Sequence, residues 1–117
     1  MANFEFLRGE KGTRCYWAGE PIFHENDPGD AMYAVVEGEV EIRKNGRVLE
    51  TVGAGAVFGE MALIDRTVRS ADAVAKTECT LAPVTQRRFM FLVQGTPFFA
   101  IDIMRVLAER LRRYTSD

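Results

Sequence analysis

The sequence predicts a mainly β fold with C-terminal helices: an antiparallel β-roll or jelly-roll barrel, a short internal helix and two C-terminal α-helices. The first 85 residues are dotted with glycine and built from short runs rich in β-branched and aromatic residues, which is typical of strands joined by tight turns. Residues 86–114 instead show apolar side chains at helical spacing. With 117 residues, 47% of them hydrophobic, the chain is expected to form one domain over residues 1–117.

Eight segments are predicted to be strands. In segment 39–44, Val40 and Ile42 alternate with charged residues, the pattern of a half-buried strand. Asn45-Gly46 follows, and an Asn-Gly pair between alternating segments predicts a type I′ turn, which needs positive φ at both central residues. The other predicted strands are 13–17, 21–24, 32–37, 47–52, 57–58, 68–75 and 78–84.

Two helices are predicted at the C-terminal end. Thr85 is a candidate N-cap for a helix over 86–94, and Gly95 suits the left-handed position after a helix. Thr96 and Pro97 suit the cap and first position of the second helix. Four of its apolar residues share one stripe that is expected to pack on the barrel: Ile101, Met104, Ala108 and Leu111. Four others are expected to widen this stripe: Phe98, Phe99, Ile103 and Leu107.

The segment 58–71, Phe-Gly-Glu-Met-Ala-Leu-Ile-Asp-Arg-Thr-Val-Arg-Ser-Ala, combines residue types that suit a sugar phosphate. A tight turn at Gly59 leads into one predicted helical turn, whose first N–H groups favour an anion. Arg69 adds a planar guanidinium suited to phosphate oxygens, and Ser70 adds a hydroxyl donor. Glu60 accepts from a sugar hydroxyl. From the residues alone, a surface ion pair between Glu60 and Arg69 beside an ordinary turn remains the simpler alternative.

The same segment closely resembles the phosphate-binding cassette of the cyclic nucleotide-binding domain family. That cassette runs Phe-Gly-Glu, three apolar or small residues, a short loop, and Arg followed by small residues. The resemblance covers about residues 7–114, because segments 19–23, 27–33 and 37–40 look like the family's first strands. It implies non-enzymatic binding of a 3′,5′-cyclic purine nucleotide, with cAMP favoured over cGMP, by a sensor or regulatory module.

The resemblance implies specific roles within the cassette. Gly59 would let the backbone approach the ligand closely, and Glu60 would accept from the ribose 2′-hydroxyl. Arg69 would pair with the cyclic phosphate, assisted by Ser70. Backbone N–H groups are expected to assist at two further residues: Met61 and Ala62.

Residues outside the phosphate contact are implied in the same way. Ile42, Phe58 and Met61 are candidates for apolar contact with the base or ribose. The last helix is expected to move over the base when ligand binds, with Arg110 as the first lid candidate. Two other lid candidates stand behind it: Arg113 and Tyr114.

The sequence departs from the family pattern at four positions. Val68 stands where Pro is frequent, Ala56 where Asp is frequent, and Asn26 where Gly is frequent, although Asn tolerates positive φ. Asp72 stands where Thr or Ser is usual, so its carboxylate is expected to compete with phosphate for Arg69 or to pair with another Arg. The alternative is therefore a degenerate domain of the same fold that acts in protein–protein interaction without nucleotide.

Metal and catalytic sites are not expected. His24 is the one histidine, so a His-rich zinc or iron centre, or a cupin-type enzyme on a small barrel, has too few ligands. Cys15 and Cys79 lie in predicted strands and are expected to be buried free thiols. Ser70 has no base placed beside it, so a hydrolase triad lacks support.

Charge and hydropathy bear on partners and location. The net charge of −2 argues against a nucleic-acid binder, and the six arginines after residue 86 are expected to complement helix C-termini. The longest apolar run, residues 89–93, is far shorter than a membrane span. We expect a cytoplasmic protein whose output passes to an unidentified protein partner or to the rest of a larger chain.

Overall fold

The secondary structure of the computed structural model is described for residues 4–115, with side chains as far as Arg113. Within that range, a 3₁₀ helix at Glu5–Gly9 precedes eight strands and three α-helices. The strands are β1 Arg14–Tyr16, β2 Pro21–Phe23, β3 Ala31–Glu37, β4 Val40–Lys44, β5 Arg47–Val52, β6 Val57–Phe58, β7 Asp72–Ala75 and β8 Cys79–Thr85. The helices are α1 Glu60–Asp65, α2 Gln86–Gly95 and α3 Pro97–Thr115. The mainly β architecture with C-terminal helices is confirmed.

The strands of residues 4–115 form two antiparallel sheets of four strands, in the orders β1-β8-β3-β6 and β2-β7-β4-β5. The β-roll is therefore built from two sheets rather than from one closed barrel. Successive side chains of a strand point to opposite faces, so β3 serves two cores. Met32 and Ala34 pack in the core that includes residues of α2 and α3, whereas Tyr33 and Val35 pack between the two sheets.

The β4–β5 hairpin forms at the predicted turn and contains a bulge. Asn45 and Gly46 both have positive φ, 54° and 77°, as the type I′ turn requires. Beside the turn Arg43 pairs with Val48, but the next pair joins Ile42 to Glu50, so Leu49 is the extra residue. A bulge of this kind shifts the register by one residue. It thereby places Glu50 opposite Ile42.

The predicted strand 68–75 is wrong in its first half. β7 begins at Asp72, and Val68 makes an isolated bridge with Pro28. The backbone of Arg69 bonds instead to the loop after β2: its N–H donates to the carbonyl oxygen of Asp27, and its own carbonyl accepts from Asn26. The chain then bends at residues 70–71, which separates Arg69 from the sheet.

The helix boundaries follow the predicted caps with one correction. The hydroxyl of Thr85 accepts from the N–H of Arg88 at 3.3 Å, so Thr85 caps α2 as expected. Gly95 does not take the left-handed position. It is the last residue of α2, because the N–H of Thr96 still donates to the carbonyl of Leu92, four residues earlier.

The predicted central stripe of α3 is wrong, whereas three of the four residues expected to widen it do pack against the core: Phe99, Ile103 and Leu107. Ile101, Met104 and Leu111 have relative exposures of 42%, 60% and 64%, and Ala108 is exposed as well. The helix is rotated so that Phe99, Ile103 and Arg110 are buried. Val106 and Leu107 on the same side are half-buried. Both stripes have helical spacing. In the observed rotation, the ring of Phe99 contacts the rings of Phe4 and Phe89.

The two cysteines differ in burial, and neither forms a disulfide. Cys79 on β8 is buried as expected. The expectation fails for Cys15, which is exposed. β1 is an edge strand of its sheet, and the Sγ atom of Cys15 lies 3.7 Å from the hydroxyl of Thr80 on the adjacent strand.

No single helix within residues 4–115 is long and apolar enough to span a membrane. α2 and α3 together have the length and apolar composition of a span, but the chain bends by 119° between them. In the same residues, no cluster of three or more His, Cys, Asp or Glu side chains could hold a metal ion.

Two glycines test the cost of positive φ against the cost of crowding. Gly38 has φ +88°, and a Cβ there would lie 2.4 Å from the carbonyl oxygen of Glu78. Gly46 has φ +77° with open space around it. We expect Gly38→Ala to lower the free energy of unfolding by about 2–4 kcal/mol and Gly46→Ala by about 1–2 kcal/mol, measured by urea denaturation. Equal losses would show that crowding at Gly38 is relieved by a backbone shift.

Candidate functional site

A cavity of about 330 Å³ opens between the second sheet, the segment 58–71 and α3. All nine candidate residues from the sequence lie in its wall: Ile42, Phe58, Gly59, Glu60, Met61, Ala62, Arg69, Ser70 and Arg110. Volumes of this order are sufficient for a small-molecule ligand. The structure therefore brings together residues that are up to 68 positions apart in the sequence.

Glu60 begins α1 at the floor of the cavity. Gly59 precedes it with φ +80°, a left-handed conformation that favours glycine. A Cβ at Gly59 would also lie only 2.9 Å from Nη1 of Arg69. The turn therefore allows the backbone, the Arg69 guanidinium and the Glu60 carboxylate to approach closely, and Glu60 itself is 1% exposed.

Arg69 is buried, and its three nitrogen atoms differ in their hydrogen bonding. It is 3% exposed, and its guanidinium carbon lies 4.1 Å from the centre of the Phe23 ring, a cation–π distance. Nη1 donates to the carbonyl of Gly59 at 2.9 Å, and Nη2 donates to that of Ala31. Nε is buried and has no hydrogen-bond partner within the described part of the chain. Burial lowers the pKa of Arg69, although nearby anionic groups, including Asp30, oppose that effect.

Arg110 reaches the cavity from α3 and bonds to two carboxylates. Nη1 donates to Glu60 at 2.6 Å, while Nε and Nη2 donate to the two oxygens of Glu50, each at 3.0 Å. Nη2 also donates to the carbonyl of Val57 at 2.7 Å. Burial alone would lower the pKa of Arg110, but the two carboxylates outweigh burial and raise it. Arg110 is therefore a fixed cation, and each of its three nitrogens donates to at least one acceptor.

The surface ion pair considered for Glu60 and Arg69 is absent from the described structure. Both side chains are buried, and their recorded bonds go elsewhere: Glu60 pairs with Arg110, and Arg69 bonds to backbone carbonyls. Arg69 therefore carries a positive charge that no carboxylate contacts by a recorded hydrogen bond.

The expected interference from Asp72 is also wrong. Its Oδ1 accepts from the backbone N–H of Glu25 at 2.7 Å and lies 3.9 Å from Nδ1 of His24. Asp72 thus fastens the start of β7 to the turn after β2. Asn26 in that turn has φ +77°, as expected for an Asn in place of Gly.

Of the other two lid candidates, Arg113 lies near the cavity. Arg113 is half exposed, and its Nη1 lies 3.2 Å from Oε1 of Glu50 at the rim of the cavity. The exposure of Arg113 makes that contact weaker than the buried bonds of Arg110. Tyr114 lies outside the residues whose side chains are described.

Five wall residues were missed by the sequence analysis: Phe23, Lys44, Leu49, Glu50 and Ala71. Lys44 and Leu49 lie on the two strands of the predicted hairpin, which also contains Ile42. The predicted Asn45-Gly46 turn therefore already indicated that these residues are close to Ile42. Nothing in the sequence indicated that Glu50 is close to Ile42, because a hairpin without a bulge would place Leu49 opposite Ile42. Phe23 enters through the tertiary contact of β2 with the Arg69 loop.

The cavity wall combines charged and apolar side chains. Arg69 and Ser70 supply donors for an anion, and Glu60 supplies an acceptor beside them. The remaining wall is largely formed by apolar side chains, which suit a flat ring: Phe23, Ile42, Leu49, Phe58 and Met61. Such a wall is suited to a ligand with an anionic group, a hydroxyl and an apolar ring.

The chain is similar in sequence to known proteins. A family model for the cyclic nucleotide-binding domain matches residues 13–96. The cyclic AMP receptor protein of Thermus thermophilus is 36% identical over 104 residues, which are 85% of this chain and 48% of that protein. A cAMP-dependent protein kinase regulatory subunit of Schizosaccharomyces pombe is 40% identical over 94 residues, which are 80% of this chain and 22% of that protein.

Solved structures match the fold as well. The crystal structure of the Thermus thermophilus catabolite activator protein superposes with a TM-score of 0.83 at 34% identity, over 93% of this chain and 54% of that one. The chain spans about half or less of the length of these relatives.

Proposed function

Because the chain belongs to the cyclic nucleotide-binding domain family, we propose that it binds a 3′,5′-cyclic purine nucleotide, cAMP in preference to cGMP, as a non-enzymatic sensor or regulatory module. The observation that carries this proposal is Arg69. A buried guanidinium with an unpartnered Nε in a cavity wall is costly unless a ligand uses it. An anion bonded to Nε would satisfy that donor.

The parts of the nucleotide are assigned by chemistry. The cyclic phosphate binds Arg69 and Ser70, because a guanidinium forms strong charge-assisted bonds to phosphate oxygens. The ribose 2′-hydroxyl donates to Glu60, with Gly59 and the N–H groups of Met61 and Ala62 close to the sugar phosphate. The purine lies against apolar side chains of the wall, among them the three predicted contacts: Ile42, Phe58 and Met61.

Ligand binding is coupled to α3 through Glu60. The carboxylate that would accept from the ribose already accepts from Nη1 of Arg110 at 2.6 Å. A ribose hydroxyl therefore changes the geometry of an α3 side chain directly. We infer that nucleotide shifts the position of α3 over the cavity, which is the signal passed on.

Adenine is favoured over guanine by the relatives. Two of them, from Thermus thermophilus and Schizosaccharomyces pombe, are named for cyclic AMP. Ser70 is compatible with either base, because a hydroxyl both donates and accepts. The ranking of the two nucleotides is therefore part of the test.

Isothermal titration with cAMP, then cGMP, then 5′-AMP tests the proposal. We expect saturable heat with cAMP, weaker binding of cGMP, and little binding of 5′-AMP, whose phosphate is not part of a ring. Nucleotide recovered after incubation should be chemically unchanged, as a non-enzymatic role requires. Folded protein that gives no heat with either cyclic nucleotide would overturn the proposal.

The output is proposed to pass to a protein partner or to the remainder of a longer chain. The net charge of −2 does not favour direct contact of this domain with nucleic acid or an anionic membrane surface, and a cytoplasmic location fits a nucleotide sensor. The alternative is a domain of the same fold that acts in protein–protein interaction without nucleotide. It is favoured by the Arg110–Glu60 bond, which occupies one oxygen of the carboxylate needed by the ribose.

A further inference from the structure

Glu50 joins the second sheet to α3 through a partly buried ion pair with Arg110. Its carboxylate accepts two parallel bonds from Arg110, the bidentate geometry that adds both energy and orientation. The side chains of Glu50 and Arg110 are 15% and 9% exposed, so water screens the pair little. Arg113, one helical turn further along α3, approaches the same carboxylate at 3.2 Å. Two cations of α3 thus converge on one residue of β5.

The bonds of Arg110 divide into those that the proposed nucleotide would disturb and those that it would not. The nucleotide would claim Glu60, which is bonded to Nη1 alone. The two bonds to Glu50 and the bond from Nη2 to the carbonyl of Val57 involve the other nitrogens. At least three of the four bonds therefore survive when ribose engages Glu60. Without Glu50, the bond to Val57 is the one that ribose binding leaves untouched.

We propose that Glu50 is a positioning residue for Arg110: it anchors α3 over the cavity and retains Arg110 when the nucleotide engages Glu60. The second half of this statement rests on the proposed function, whereas the first half does not. α3 then pivots about Glu50 when ligand binds instead of detaching from the sheet. Glu50 is held in this place by the bulge at Leu49, which sets it opposite Ile42 in the cavity wall.

The test compares Glu50→Gln with Glu41→Gln. Glu41 is a matched control, because it lies on the adjacent strand, bonds to Arg43 on its own strand and does not line the cavity. Hydrogen exchange of residues 106–113 is measured first without nucleotide. We expect exchange there to rise about tenfold or more in Glu50→Gln and to stay at the wild-type rate in Glu41→Gln. Equal exchange in all three proteins would overturn the anchoring role.

The second readout is nucleotide binding by stopped-flow. We expect Glu50→Gln to weaken cAMP binding by about tenfold or more, mainly through faster dissociation. Unchanged affinity beside increased exchange would overturn the retention of Arg110 on binding. Wild-type protein that binds no cyclic nucleotide would overturn the proposed function, but the exchange comparison would still test the anchoring role.

If Glu50→Gln does not fold, Glu50→Asp, which keeps the charge on a shorter side chain, takes its place. We expect its hydrogen exchange at residues 106–113 to lie between the wild-type rate and that of Glu50→Ala. Exchange at the wild-type rate in both Glu50→Asp and Glu50→Ala would overturn the anchoring role.

Discussion

Arg69→Ala is expected to cost about 2–5 kcal/mol of cyclic nucleotide binding, the usual loss when one partner of a buried charged pair is removed. Arg69 is 3% exposed, and its unpartnered Nε lies in the cavity wall. Removing it leaves the phosphate without its cation in a site shielded from water. Titration calorimetry on wild type and variant, with a thermal melt of each, gives the difference.

Two companion variants separate charge from shape. Arg69→Lys keeps the charge but loses the planar fork, so binding is expected to be intermediate. Arg66→Asn removes a cation from the exposed part of the same loop, and Asn tolerates the φ of 57° found there. Affinity is expected to stay near wild type in Arg66→Asn. An equal loss in Arg66→Asn and Arg69→Ala would point to general electrostatic attraction and against the assigned contact.

Phe99→Ala is expected to lower the free energy of unfolding by about 3–5 kcal/mol, the range for truncating a buried aromatic side chain. Phe99 is fully buried, and its ring meets those of Phe4 and Phe89 edge to face at 6.2 and 5.3 Å. The substitution removes these contacts and leaves a cavity between α3, α2 and the first sheet. Urea denaturation followed by circular dichroism measures the loss.

Phe98→Ala is the control for the rotation of α3. Phe98 precedes Phe99 in the chain but is 79% exposed, so its truncation should change stability by about 0.5 kcal/mol or less. The comparison is sensitive, because the two side chains are identical and adjacent. Losses of similar size at Phe98 and Phe99 would contradict the packing face assigned to α3.

Local features of the fold were well predicted because short-range physics decides them. The Asn45-Gly46 turn needs positive φ at two adjacent residues, and few residue pairs tolerate that. The cap at Thr85 needs only a hydroxyl three residues before a helical N–H group that has no partner within the helix. The cassette segment 58–71 likewise contains most of its own geometry, since a left-handed Gly59 and the short α1 lie within it.

Features that depend on competition between distant contacts were not predicted. α3 has two apolar stripes at helical spacing. The stripe that contains Phe99 is buried, and there Phe99 contacts Phe4 and Phe89. Glu50 enters the site because a bulge absorbs Leu49, and nothing in the local sequence marks that bulge. The partner of Asp72 is likewise set by the turn after β2, which approaches it through the pairing of β2 with β7.

The sequence by itself determined the strand and helix order and the hairpin turn, because each rests on local pattern. The family resemblance added nine residues of the cavity wall, including Ile42 and Arg110, which lie outside the contiguous segment 58–71. The tertiary structure decided which donors of Arg69 and Arg110 remain for a ligand. Burial of the two guanidinium groups has a free-energy cost that hydrogen bonds offset. The acceptors within reach are three carbonyls and two carboxylates, those of Gly59, Ala31, Val57, Glu50 and Glu60. Hydrogen bonds of this kind depend on distances of a few tenths of an ångström, and only the packed chain sets those distances.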